Sequence, residues 1–160
     1  MGHALASRVA AKQGERTRSK LLHNLADGSF SKAVKHARTP VDWLSTDPAV
    51  VDAYLADELC GQMFTAGAYA TLTSLTSETA TLDSALAIPP DLPVLFIAGA
   101  LDPVGNKGRG VKSAAALFER AGITDIEVKL YKGMRHEILN EPGKRQVYDD
   151  VLAWVDRHMG

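Results

Sequence analysis

The sequence predicts an α/β protein in two parts, a helical segment followed by a βαβα unit with parallel strands. Two contrasts carry this. Ahead of residue 90 no stretch shows a strand pattern, and apolar residues recur at helical spacing. Beyond it, one continuous apolar run and one alternating run are each followed by an amphipathic stretch. Between the two lie Pro89, Pro90 and Pro93 in "AIPPDLP", which cannot continue a helix and bias their neighbours toward extended backbone. The boundary divides the chain into residues 1–87 and residues 88–160.

In chain order, Leu5, Val9 and Ala10 fall on one helical face, interrupted at Gly14. "DPAVVDAYLADEL" offers Asp47 as N-cap and Pro48 at the first helical position. Its Val50, Val51, Tyr54 and Leu55 share a face. "GQMFTAGAYATLTSLTSETA" is a further helix, although Thr and Gly weaken its propensity. "PVLFIAG" then reads as a strand covered on both faces. "GVKSAAALFERAG" places Val111, Ala114, Ala115, Leu117, Phe118 and Ala121 on one stripe, with Gly122 ending the helix. "DIEVKLY" alternates Ile126, Val128 and Leu130 with Glu127 and Lys129, a more exposed strand. Val147, Val151, Trp154 and Val155 mark a final amphipathic helix.

At 160 residues, 46% apolar and 23% charged, the chain can bury one ordinary core. A net charge of −1 gives no argument for a nucleic-acid partner. The N-terminal stretch has neither the apolar core of a signal peptide nor the length of a membrane span, so a soluble protein without integral membrane association is expected. Cys60, the single cysteine, suits a reducing cytoplasm and reads as a small hydrophobe in a helical stretch. His3, His23, His36 and His158 have no metal-binding spacing, and His158 should be solvated. No metal or cofactor is expected. "GNKGRG" matches neither dinucleotide nor P-loop spacing and reads as a turn. The basic run "KQGERTRSK" reads as a solvated helix face, and Trp43 and Trp154 as core residues. Arg135 and Glu137 could pair across the loop that bears His136.

Chemistry concentrates at two loops. Asp102 follows the first strand and His136 the second, and parallel neighbours put both loops at one end of the sheet. A carboxylate there can fix the tautomer of an imidazole and stabilise its protonated form, as in a catalytic triad. An Asp and a His on loops also fit a structural role. The strand context, the nearby Gly105 and Gly133, and the order acid then histidine favour the catalytic one.

On "PVLFIAGALDPVG" and "VKLYKGMRHEILNE" the chain resembles the α/β-hydrolases that include monoacylglycerol lipases, lysophospholipases and the serine aminopeptidase-like S33 enzymes. "TPVDWLSTDPAVVDAYLADELCG" resembles their helical cap. The resemblance implies a partial α/β-hydrolase fold, with residues 1–87 as a cap-like segment and residues 88–160 as the last βαβα of the core. It makes Asp102 the triad acid, His136 the base, and a lipid or small carboxylic ester the substrate. The family's G-x-S-x-G nucleophile motif does not occur in the sequence, nor does the oxyanion loop. The expectation is therefore a C-terminal portion of a serine hydrolase, inactive unless an N-terminal half completes it. The alternative is a non-catalytic binding or oligomerisation module. An unpaired edge along residues 94–99 would favour a homo-oligomer.

Overall fold

The computed structural model describes residues 2–159. Its elements run α1 (Gly2–Gln13), α2 (Lys20–Leu25), α3 (Asp27–Lys32), α4 (Pro48–Ala56), α5 (Ala66–Thr79), α6 (Leu82–Leu86), β1 (Val94–Gly99), α7 (Arg109–Arg120), β2 (Ile126–Tyr131) and α8 (Lys144–Met159). The change from helices to alternating strands and helices falls in the proline-rich stretch after α6.

The helices before this point begin where side chains can replace the missing backbone acceptors. Ser19, Asp47, Thr65 and Thr81 cap α2, α4, α5 and α6, and Pro48 opens α4 as the sequence predicts. α1 packs along α5 through Ala6, Val9, Ala10, Ala66 and Tyr69, joined by Leu22 of α2. Alanines at the contact let the two helix backbones approach closely. The basic run proves not to be a helix face. Beyond Gln13 it is a loop whose carbonyls at Glu15 and Thr17 accept the N–H groups of Gly67 and Ala66 at 2.9 and 2.8 Å. These are first-turn donors of α5 that no intrahelical carbonyl can reach. Arg18 and Thr65 form an isolated antiparallel bridge beside them.

β1 and β2 pair in parallel, with Val94 opposite Ile126 and Gly99 opposite Tyr131. α7 packs against both strands. Phe96 of β1 meets Phe118 of α7 edge to face at 5.2 Å, a favoured aromatic geometry. On the other face Ile97 and Tyr131 join Met134, Ile138, Val147 and Val151 in a second apolar cluster. The polar residues of β2 turn toward α8, where Lys129 pairs with Asp150 at 2.8 Å and Glu127 with Arg157 at 2.8 Å.

β2 is the more exposed strand expected, with Val128 37% exposed. Burial of β1 departs from the expectation, since Val94–Ala98 are half-buried rather than fully covered. The reason is the width of the sheet. Among the described residues it has two strands, so β1 is paired along one edge only, and one helix per face cannot cover it.

Other local expectations are corrected as well. Cys60 lies in a turn after α4, partly exposed, not in a helix. His158 is not solvated. Its ring stacks on Trp154 at 4.3 Å, and its nitrogens reach Trp154 O at 2.7 Å and Asp125 Oδ2 at 3.0 Å, tying α8 to the start of β2. "GNKGRG" is a turn, as expected: Asn106, Lys107 and Gly108 all have positive φ. A Cβ on Gly108 would stand 2.4 Å from the Leu130 side chain, so glycine serves both backbone and packing there. Among the described residues no helix is long and apolar enough to cross a membrane.

Candidate active site

Each of the two loops singled out in the sequence is fixed by its own backbone chemistry. After β1 the chain turns at Asp102. Its Oδ1 accepts the N–H of Val104 at 2.8 Å, and its carbonyl accepts that of Lys107 at 2.8 Å. This Asx turn settles the carboxylate's rotamer before any partner arrives. After β2 the chain folds back so that Leu101 N–H reaches Met134 O at 2.9 Å. Gly99 makes this crossing possible, because a Cβ there would lie 1.9 Å from Arg135 O and 2.4 Å from Met134 O.

The two loops bring the acid and the histidine together. His136 Nδ1–H donates to Asp102 Oδ2 at 3.1 Å. The Asp102 side chain is 10% exposed and that of His136 39%. The hydrogen bond to Asp102 lifts the His136 pKa above the ordinary 6.5; burial opposes it, and the charges of Asp102 and Glu137 add to it. With Nδ1 committed to the carboxylate, Nε2 is the nitrogen left to exchange a proton with another group.

His136 stands between two hollows. A cavity of about 630 Å³ opens toward the helical region, with Phe30, Trp43, Tyr54, Phe64 and Leu72 among its apolar walls and His23 and Asp27 at a polar end. A groove of about 530 Å³ runs along β1 past Phe96, Ile97, Ala98 and Val111. Trp43, expected in the core, tilts against the imidazole at 5.1 Å and against Phe30 at 5.2 Å. It belongs to the cavity wall.

The expected Arg135–Glu137 pair does not form. The Arg135 guanidinium donates instead to the carbonyls of Asp42 and Ser45, and Glu137 accepts from Asn140 Nδ2 at 2.9 Å. Sequence reasoning gave no role to Glu141, which is 0% exposed and accepts hydrogen bonds from Thr46 and from the Arg135 backbone. Nothing in "LNEP" distinguishes it from a surface glutamate. Only the fold shows that residues 42–46 come to meet it. Cys60 stays outside the chemistry: desolvation first, then Asp57, raises its pKa, which disfavours the thiolate a nucleophile requires.

Comparison with known proteins agrees with this architecture. The chain is 30% identical over 135 residues to a monoacylglycerol lipase of Mycolicibacterium smegmatis, a match spanning 82% of the chain and 45% of that lipase. It superposes on a thermostable carboxyl esterase from Bacillus coagulans with a TM-score of 0.83 at 22% identity, covering 98% of the chain and 50% of the esterase. A lipase in its open form gives 0.81 at 27% identity, covering 97% of the chain and 50% of the lipase. The chain thus spans about half the length of these relatives. Its sequence from residue 4 to residue 143 matches the pattern of the serine aminopeptidase S33 hydrolases, and on that match the chain belongs to this family of α/β-hydrolases.

Proposed function

We propose that this chain carries the acid and the base of a serine hydrolase acting on lipid or small carboxylic esters. The observation that carries the reading is the Asp102–His136 hydrogen bond at 3.1 Å, beside a largely apolar cavity. In this mechanism His136 Nε2 takes the proton from a serine hydroxyl as that oxygen attacks the ester carbonyl. It then returns the proton to the leaving alcohol. A water attacks the acyl-enzyme by the same exchange, releasing the acid. Asp102 holds the tautomer and stabilises the imidazolium. The cavity's apolar walls would take the acyl chain. Residues 1–160 contain no G-x-S-x-G, so turnover requires a segment that supplies this serine and an oxyanion hole. In this reading the helical segment up to residue 87 acts as the cap over the site, and the βαβα unit from residue 88 as part of the core.

The test joins this chain to the part of the mycobacterial lipase that lies outside the match, and follows p-nitrophenyl ester hydrolysis and fluorophosphonate labelling. The chain alone should be silent in both assays. The joined enzyme should turn over, Asp102→Asn should lower kcat on the order of 10⁴-fold, and His136→Ala should cost at least as much. Turnover that survives His136→Ala would overturn the assignment.

A second reading is favoured by the unpaired edge of β1, beside an apolar groove. It makes the chain a non-catalytic module that associates with a second copy along Val94–Gly99. Such an edge readily accepts another strand. Sedimentation across a wide concentration range would show dimers, and Phe96→Pro should abolish them. A concentration-independent monomer would end this reading.

A further inference from the structure

Buried Glu141 and half-buried Arg135 form a polar clamp between the helical region and the loop that bears His136. The Glu141 carboxylate, 0% exposed, accepts the Thr46 N–H at 3.1 and 3.0 Å, the Thr46 hydroxyl, and the Arg135 N–H at 2.7 Å. The Arg135 guanidinium runs the opposite way, to the carbonyl of Asp42 and to that of Ser45 at 2.9 Å. Asp42 is itself held, its carboxylate accepting the Arg38 N–H at 2.6 Å and the Thr39 hydroxyl at 2.5 Å. Glu137 N–H reaches Leu44 O at 2.8 Å and His136 N–H reaches Trp43 O at 3.4 Å.

Residues 42–46 are thus laced to residues 135–137 and 141 from both sides. A buried carboxylate stripped of its donors is costly, which sets these contacts to form together. Between the two strings of hydrogen bonds lies the Trp43–His136 ring contact. The imidazole is therefore bounded by Asp102 at Nδ1, by Trp43 on its side, and by a backbone that cannot move without breaking the clamp.

We infer that Glu141 and Arg135 are positioning residues for His136. By fastening residues 42–46 of the helical region to the histidine loop, they hold the imidazole against Asp102. The inference rests on the reading of His136 as the base. Its consequence is that the place of the helical region over the site and the readiness of the base are set by the same contacts.

The test is an NMR titration of the His136 Cε1–H in the whole chain, with Asp102→Asn marking complete loss of the carboxylate. The charges acting on this ring are those of Asp102 and Glu137, and Arg135 is the cation next to it in the chain. Thr46→Val removes one donor to Glu141, changes no charge, and leaves the Thr46 N–H in place to hold the fold. Arg135→Met removes a cation, which by charge alone would raise the His136 pKa. Loss of position would lower it, so the two explanations differ in sign. The expected result is a lower His136 pKa in both variants, moving toward that of Asp102→Asn. The ring-current shift from Trp43 should change with it, and Thr46→Ser should restore both. An unmoved titration in Thr46→Val, or a rise in Arg135→Met, would overturn the inference. Neither readout involves turnover, so this failure is distinct from a joined enzyme that works without His136.

Discussion

The helical region, residues 2–86, and the strand-bearing region, residues 94–159, are held together by different means. The first closes on alanines with Val9, Leu22 and Tyr69 around α1 and α5, with capping side chains and loop carbonyls completing its helix ends. It leaves Leu21, Leu25, Leu59 and Leu75 more than half exposed. The second packs larger apolar residues between β1, β2 and α8. It fixes its loops with two buried carboxylates, Asp102 and Glu141, whereas Ser19, Asp42 and Ser45 are the buried polar residues of the helical region. In the helical region, then, shape follows from close backbone approach. In the other, it follows from loops that cannot slide. Asp102 and His136 both belong to the region with the fixed loops, which would keep the proposed proton-transfer pair in place.

The largest break in this contrast should come from Gly99→Val. The added side chain meets backbone atoms of Met134 and Arg135, which cannot yield as a flexible side chain can. A loss of about 3 kcal/mol in urea denaturation is expected, and a loss well under 1 kcal/mol would refute the tight crossing. Val147→Ala, at a fully buried position in the second cluster, should cost about 2 kcal/mol. Leu75→Ala, more than half exposed on α5, should stay within about 0.5 kcal/mol. Equal costs would erase the distinction between the regions. Tyr69→Phe removes a hydrogen bond to Asp27 at 2.9 Å and should cost about 1 kcal/mol, softening the α3–α5 contact alone.

The smallest effect is the pH dependence. The His136 pKa is raised in the folded chain by its hydrogen bond to Asp102, so protonation favours folding. That contribution is fully present below the unfolded value near 6.5 and is lost as pH rises through the raised folded value. The ring is partly exposed, which keeps the slope shallow. Denaturation midpoints across this window should fall with pH in the wild-type chain and lose that component in Asp102→Asn.

Much of this contrast is legible in the sequence, though unevenly. The apolar run ending at Gly99, the stripe from Val111 to Ala121 and the cap at Asp47 state their structure through period and capping chemistry. Asp102 and His136 could be picked out because a parallel pair of strands sends both loops to one end. Trp43, Arg135 and Glu141 could not. Each looks ordinary in its own segment, and its environment comes from a segment remote in the chain. The half-burial of β1 was hidden for a related reason, since an apolar run reports what a strand could bury and not how many neighbours cover it. His158 misled because a helix-terminal histidine is solvated by default, and its contact with Asp125 depends on the docking of α8.

The measurement closest to the central claim is the titration of His136 in the wild-type chain and in Asp102→Asn. The claim is that the fold brings Asp102 and His136 together as a working acid–base pair. It predicts that His136 titrates above 6.5 and that its pKa falls when the carboxylate is removed. A histidine that titrates at or below 6.5, unmoved by Asp102→Asn, would contradict it.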